Sequence, residues 1–250
     1  MSDDYLKDLR ESEFTALAPL LPPPPARVLE MGAGPGWQTR LLRQGGYDVT
    51  AADVASNAFN HDGHEVMTYD GVTFPFPAGQ FDCVFISNVL DHVTDREQFM
   101  REVARVLKPG GKWIVVAPTR SWRLWTTIFH LLSLPSRLIF RKPKFPTAAA
   151  SAPAREADAR GTARPSRWAT LFPRLGEHDS AFGELRTFSN CHRRRFFAAH
   201  GWKVRASRPA GLYYTGARLL GGRMNLKARR ALACPLGSAC RIFVLERADG

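Results

Sequence analysis

Short apolar runs separated by glycine, proline and charged residues dominate the first half of the chain, and their spacing sets an alternating order of elements. A helical pattern from Tyr5 to about Leu20 runs into Leu21-Pro22-Pro23-Pro24-Pro25, a stiff spacer that no helix can continue through. ARVLEMG, beginning at Ala26, reads as a buried strand, WQTRLLRQGG as a helix stopped by Gly45 and Gly46, and YDVTAADV as a second strand. HEVMTYDG and FDCVFISNVL supply a third and a fourth strand. Thr94-Asp95-Arg96-Glu97 fits a capping box, and Phe99, Val103, Val106 and Leu107 follow on one helical face. Lys108-Pro109-Gly110-Gly111 ends that helix before a fifth strand, KWIVVAP. Strands alternating with helices imply a parallel, doubly wound α/β sheet with its ligand at the carboxyl ends of the strands.

The second half is less regular. SWRLWTTIFHLLSLPSRLIFRK, Ser121 to Lys142, places Trp122, Trp125, Phe129 and Leu132 on one face of a helix, with arginines nearby. Arg123, His130 and Pro135 interrupt it too often for a bilayer span, which takes about 20 apolar residues. The segment suits a lid packed on the domain or on a second subunit, or an interfacial helix with arginines at lipid phosphates. Lys144 to Ser166, rich in Ala, Pro, Ser and Arg, reads as a mobile loop. Thr187 to Gly201 reads as a helix with Ser189 as its cap and Arg193 to Arg195 as a solvated basic patch. WKVRASR and CRIFVLER are the last two strands, and Tyr213 and Tyr214 between them are expected to pack.

A chain of 250 residues that is 44% hydrophobic buries a sizeable core without disulfides. Its four cysteines, Cys83, Cys191, Cys234 and Cys240, are too widely spaced for a CxxC pair, so free thiols are expected and no metal site. The charged start MSDDYLKDLRESEF is unlike a leader peptide, so no cleaved signal is expected and the cytoplasm is the expected location. The net charge of +12 falls mostly in the second half, away from the glycines, so basic surface and ligand loop are separate features.

VLEMGAGPG, Val28 to Gly36, carries the chemistry. Glycines behind the first strand allow a tight turn and close approach to a ligand, and the following helix directs its amides at the same place. A dinucleotide fingerprint beginning at Gly32 and Gly34 needs a glycine at 37, where Trp37 stands, and no Lys-Ser/Thr pair follows as in a triphosphate loop.

These residues resemble the first motif of the class I S-adenosylmethionine (AdoMet) dependent methyltransferases, and the resemblance runs from Arg27 to Pro118 with further motifs in the family's order. It implies a Rossmann-like, mostly parallel seven-stranded sheet with an antiparallel last strand and an inserted helical lid after the fifth. The chain then divides into an N-terminal helix and spacer (1–25), an AdoMet-binding core (26–119), the lid with its loop (120–187) and the remainder of the core (188–250). By resemblance, Glu30, Gly32, Gly34 and Gly36 match the loop that cradles the methionine end of AdoMet, and Asp53 matches the acid on the ribose hydroxyls. Asp70 and Gly71 match the pair beside adenine, while Ser87 and Asn88 open toward cofactor and substrate. A lone Asp at a strand end is more often a turn carboxylate, but two such residues in order favour the cofactor reading.

ISNVLDHVTD puts Asn88, Asp91 and His92 on one face if the turn is helical. This resembles the branch of the ubiquinone and menaquinone biosynthesis methyltransferases, in which an E-x-x-E-H stretch lies by the substrate and can hold a divalent ion. Asn88 and Asp91 replace its two glutamates here, and the pair Asp91-His92 then serves to tie the loop to a neighbouring helix. A sulfonium donor needs no protein nucleophile, only alignment, exclusion of water and a base if the acceptor arrives protonated; His92 and His178 are the candidate bases. The resulting expectation is methyl transfer to an apolar or aromatic, lipid-like small molecule, with membrane contact through 121–142. Against it stand an RNA methyltransferase, which the charge suggests but the ending ISNV does not, and an AdoMet-binding module without catalysis.

Overall fold

The computed structural model describes residues 3–54, 66–139, 181–215 and 224–248. The elements in order are α1 (Asp3–Leu17), β1 (Arg27–Met31), α2 (Trp37–Gln44), β2 (Asp48–Val54), β3 (Met67–Tyr69), β4 (Phe81–Ser87), α3 (Arg96–Val106), β5 (Leu107–Pro118), α4 (Arg120–Ile139), α5 (Ala181–Thr187), α6 (Asn190–Ala199), β6 (Trp202–Pro209), α7 (Leu226–Leu236) and β7 (Cys240–Arg247). The strands form one seven-stranded sheet in the order β3-β2-β1-β4-β5-β7-β6. β1 to β5 pair in parallel, and β7 lies antiparallel between β5 and β6. The strand order reverses between β1 and β4, and ligands of doubly wound sheets settle at that switch point.

Strand alternation sorts the core into two layers. Val28, Phe85, Ile114 and Ile242 face one side with Leu17 of α1 and Leu42 of α2. Leu29, Val84, Trp113 and Phe243 face the other with Val103 of α3 and Phe197 of α6. Trp113 packs edge-on against both Trp202, at 4.9 Å between centroids, and Phe197, at 5.7 Å. Because both faces are covered, the central strands are continuous apolar runs rather than alternating ones.

Local details depart from the sequence reading. The cap of α3 is Asp95 and not Thr94: its Oδ1 accepts from Gln98 N at 2.9 Å, giving an Asp-x-x-Gln start one residue later. Leu107 leaves the helical face and opens β5, whose Lys108 to Gly111 stretch is absorbed by a register shift between Phe81 and Cys83. Helix α4 buries Arg123 and Thr126 rather than an aromatic face, because Arg123 Nε meets Glu184 Oε2 of α5 at 2.6 Å. Trp122 and Trp125 are half-buried, Trp125 donating to the Leu236 carbonyl at 3.0 Å, and Leu132 is exposed. Ser189 does cap α6, accepting from His192 N at 3.2 Å. Within Arg193 to Arg195, only Arg194 and Arg195 are exposed; Arg193 is buried. The Lys144 to Ser166 stretch and His178 lie outside the described residues.

Candidate active site

The loop from Gly32 to Gly36 joins β1 to α2 and is fixed from below by β2. Gly32 N donates to the Ala52 carbonyl at 2.7 Å, and Gly34 N donates to Asp53 Oδ2 at 2.7 Å. Both glycines hold φ in the left-handed region, +76° and +52°. Their surroundings differ. A Cβ on Gly32 would meet Val89 Cγ2 at 2.2 Å, so this glycine lets the loop pack against the segment after β4. Among the described residues a Cβ on Gly34 would meet nothing within 4 Å, so its backbone borders open space. Gly36 stands at the N-cap position of α2, whose first amides point back toward the loop.

Glu30 is the residue before the last of β1. It is buried and accepts from Thr39 Oγ1 of α2 at 2.5 Å, tying strand to helix. Burial pushes its carboxyl from 4.5 up to about 7, with the nearby Asp53 charge adding to the rise and the Thr39 bond opposing it. Asp53, at the end of β2, is also buried and accepts from Val54 N through Oδ1 at 2.7 Å.

Asp70 and Gly71 form the turn after β3. Asp70 Oδ1 accepts from Val72 N and Thr73 N, both at 2.8 Å, and these bonds hold its carboxyl below the ordinary range. The turn is anchored downstream, where Phe74 N donates to Glu102 Oε2 at 2.8 Å and Arg105 of α3 donates to the carbonyls of Phe74 and Phe76.

Ser87 and Asn88 close β4. Among the described residues Asn88 is the non-glycine residue with positive φ, +57°, held by its amide on the Val116 carbonyl at 2.8 Å and by its side chain on Ser87 Oγ at 3.3 Å. Strain of this kind is retained where the surroundings fix it, commonly at functional sites.

Asn88, Asp91 and His92 do not share a face, because the turn is a short 3-10 segment from Leu90 to His92 that Asn88 precedes in a left-handed conformation. Asp91 points inward and accepts from Arg193 Nη2 of α6 at 2.8 Å, while His92 is exposed. The tie between loop and helix is therefore made by Asp91 alone, and its partner is the arginine expected to be solvated. Among the described residues no cluster of His, Cys, Asp and Glu is arranged to hold a metal ion.

Sequence reasoning missed a polar chain that reaches the site from α1. Arg10 donates to Glu13 Oε2 at 2.6 Å, Tyr214 Oη donates to Glu13 Oε1 at 2.6 Å and meets Cys240 Sγ at 3.0 Å, and Cys240 Sγ lies 3.5 Å from Asn88 Oδ1. Tyr213 packs edge-on against Trp125 at 6.0 Å as expected, but Tyr214 works through its hydroxyl.

Residues 29–115 match the family model described as Methyltransferase domain. The sheet order and the glycine loop are those the resemblance to the class I, AdoMet-dependent type leads one to expect. The chain is 32% identical over 138 residues to the ubiquinone/menaquinone biosynthesis C-methyltransferase UbiE of Vibrio cholerae, covering 46% of this chain and 52% of that one. It is 37% identical over 92 residues to the demethylmenaquinone methyltransferase of Corynebacterium urealyticum, covering 36% and 40%. The chain thus spans about half the length of the curated relatives it matches. An S-adenosylmethionine-dependent methyltransferase from Mesorhizobium loti shares the fold with a TM-score of 0.52 at 17% identity, covering 94% of this chain and 98% of that one.

Proposed function

We propose that the protein transfers the methyl group of AdoMet to an apolar aromatic small molecule of quinol type, with catalysis chiefly by positioning. The observation that carries this reading is the left-handed loop whose Gly34 borders open space while its amide is held by Asp53, at the switch point of the sheet. A group with a methionine tail, a diol and an adenine suits what is present. Backbone amides and open space at Gly34 would admit the tail, the Asp53 carboxylate at the next strand end would accept from the diol, and Asp70 Oδ2, unlike its turn-bound Oδ1, would accept from the adenine amine.

When bound, AdoMet supplies an activated sulfonium methyl, and the protein's part is alignment and exclusion of water. Ser87 and Asn88, at the carboxyl end of β4 beside the loop, orient the acceptor, and the chain from Glu13 through Tyr214 and Cys240 fixes the Asn88 amide. His92, exposed at the same end of the sheet, is the base for a protonated acceptor; His178 keeps its place as the second candidate from sequence alone. The quinone names of the relatives support the acceptor class, as does Leu124, exposed on α4 within the 121–142 segment proposed to meet a membrane from the cytoplasmic side. Among the described residues no helix is long and apolar enough to cross a membrane.

The test is transfer of labelled methyl from AdoMet into a cell extract, followed by partition into lipid, polar, RNA and protein fractions. Label in the organic phase that disappears with Gly34→Val supports the reading. Label in RNA moves the substrate platform to the basic half, and tight AdoMet binding with no labelled fraction leaves a binding module.

A further inference from the structure

A second feature lies on β5, β7, α4 and α6 rather than on the glycine loop. A cavity of about 200 Å³ opens where the end of β5 meets the start of β7, and its polar wall is Thr119, Arg120, Asn190, Arg193, Ser238 and Arg241. Among the described residues none that lines it is acidic. Two helices begin at this wall: Thr119 Oγ1 accepts from Trp122 N at the start of α4, and Ser189 caps α6 directly before Asn190. Helix starts present amides and a partial positive charge, and the exposed Arg120 at the first residue of α4 adds a full one at the end of the helix that favours anions.

Arg193 is 95% buried, with relative exposure of 5%. Its Nη2 is engaged by Asp91 and the ring of Phe188 lies 5.2 Å from its guanidinium carbon, yet its Nε has no hydrogen-bond partner among the described residues. Arg241 donates to Ser207 Oγ at 3.2 Å, and both burial and the neighbouring Arg194 charge disfavour its own charge. The buried Arg193, the half-buried Arg241 and the exposed Arg120 thus line one small space, with Asp91 paired to Arg193.

We propose that this cavity binds a phosphoryl group, presented as a phosphate ester or diphosphate. Guanidinium forks and helix amides match the geometry and charge of that group, which carboxylate-free apolar pockets do not. Its volume is below the ~300 Å³ at which pockets enclose whole drug-sized ligands, so the cavity takes an anionic head and leaves the rest of the molecule outside. The inference is independent of methyl transfer and stands or falls by direct binding.

Titration calorimetry of the full chain with sodium pyrophosphate, beside Arg241→Gln and Arg120→Gln, is the test. The expected result is saturable, one-to-one binding that weakens about tenfold in each variant, as loss of one charged hydrogen-bond donor implies, with thermal unfolding matching the parent. Sedimentation with phosphatidylcholine vesicles, with and without phosphatidic acid, separates the sources. Recruitment by phosphatidic acid that both variants lose identifies a lipid headgroup, and pyrophosphate binding without recruitment identifies a soluble phosphate ester. Absence of saturable pyrophosphate binding, or affinity and recruitment equal in parent and variants, overturns the proposal and leaves only general attraction by the +12 charge.

Discussion

Replacing Glu30 by glutamine converts a buried, titrating carboxyl into a neutral group of the same shape, and the pH dependence of stability should record the change. The folded chain holds this carboxyl at about 7 against an ordinary 4.5, a preference for the neutral form of about 3 kcal/mol. The folded value is raised, so between these limits the folded state binds more protons than the unfolded state, and stability falls as pH rises. The contribution is fully present below 4.5, is lost progressively up to about 7, and stays lost above it. In the glutamine variant, Thr39 Oγ1 still finds a carbonyl acceptor where it now bonds Glu30 at 2.5 Å. Urea unfolding of parent and variant at pH 5, 6, 7 and 8 isolates this group, because every other titration cancels in the difference. The parent should lose about 2.5 kcal/mol more than Glu30→Gln between pH 5, where a little of the contribution is already gone, and pH 8. Parallel stability curves would mean that Glu30 is solvated or ionised in the folded state, and the reasoning about burial would be refuted.

Other outcomes follow from the same geometry. Gly32→Ala should destabilise by about 2 kcal/mol or more, read by urea unfolding, since its Cβ would press on Val89 at 2.2 Å from a left-handed backbone. Asp91→Ala should cost about 3 kcal/mol or more by the same assay, because Arg193 would be left buried without its partner; a loss under 1 kcal/mol places that pair in water. Ellman's reagent should titrate Cys191 and Cys234 in the native protein and reach Cys83 and Cys240 only on unfolding, as burial pushes Cys83 up to about 12 and raises Cys240 further.

The elements around the glycine loop were legible because their signals are local. Apolar runs, helix-stopping glycines and the order of strands predict β1 through β5 and the sheet's class, and Ser189 announces the start of α6. What escaped depends on residues far apart in the chain. Arg193 looked solvated within a run of three arginines, and only the fold brings it to Asp91, 102 positions away. Tyr214 and Glu13 are separated by 201 positions, so neither carries a local sign of the bond that links α1 to the loop after β4. Arg123 likewise reads as an interruption of an apolar face, until Glu184 supplies the buried partner that turns the helix round. Asp53 and Asp70 stand at the strand ends that spacing predicts, but Asp53 accepts from Gly34 N and Val54 N through its two oxygens and Asp70 from its own turn through Oδ1, bonds that spacing alone does not express.

The central claim is that the open space at Gly34 receives AdoMet. Equilibrium titration of AdoMet into the parent chain and Gly34→Val tests it most directly, with thermal unfolding as the check on fold. The expected result is saturable binding to the parent and at least a hundredfold loss in the variant, about 3 kcal/mol, since the Cβ added at this left-handed position meets no described atom within 4 Å and projects where the ligand must lie. Equal affinity in the two folded proteins would place the cofactor elsewhere and contradict the assignment of the site.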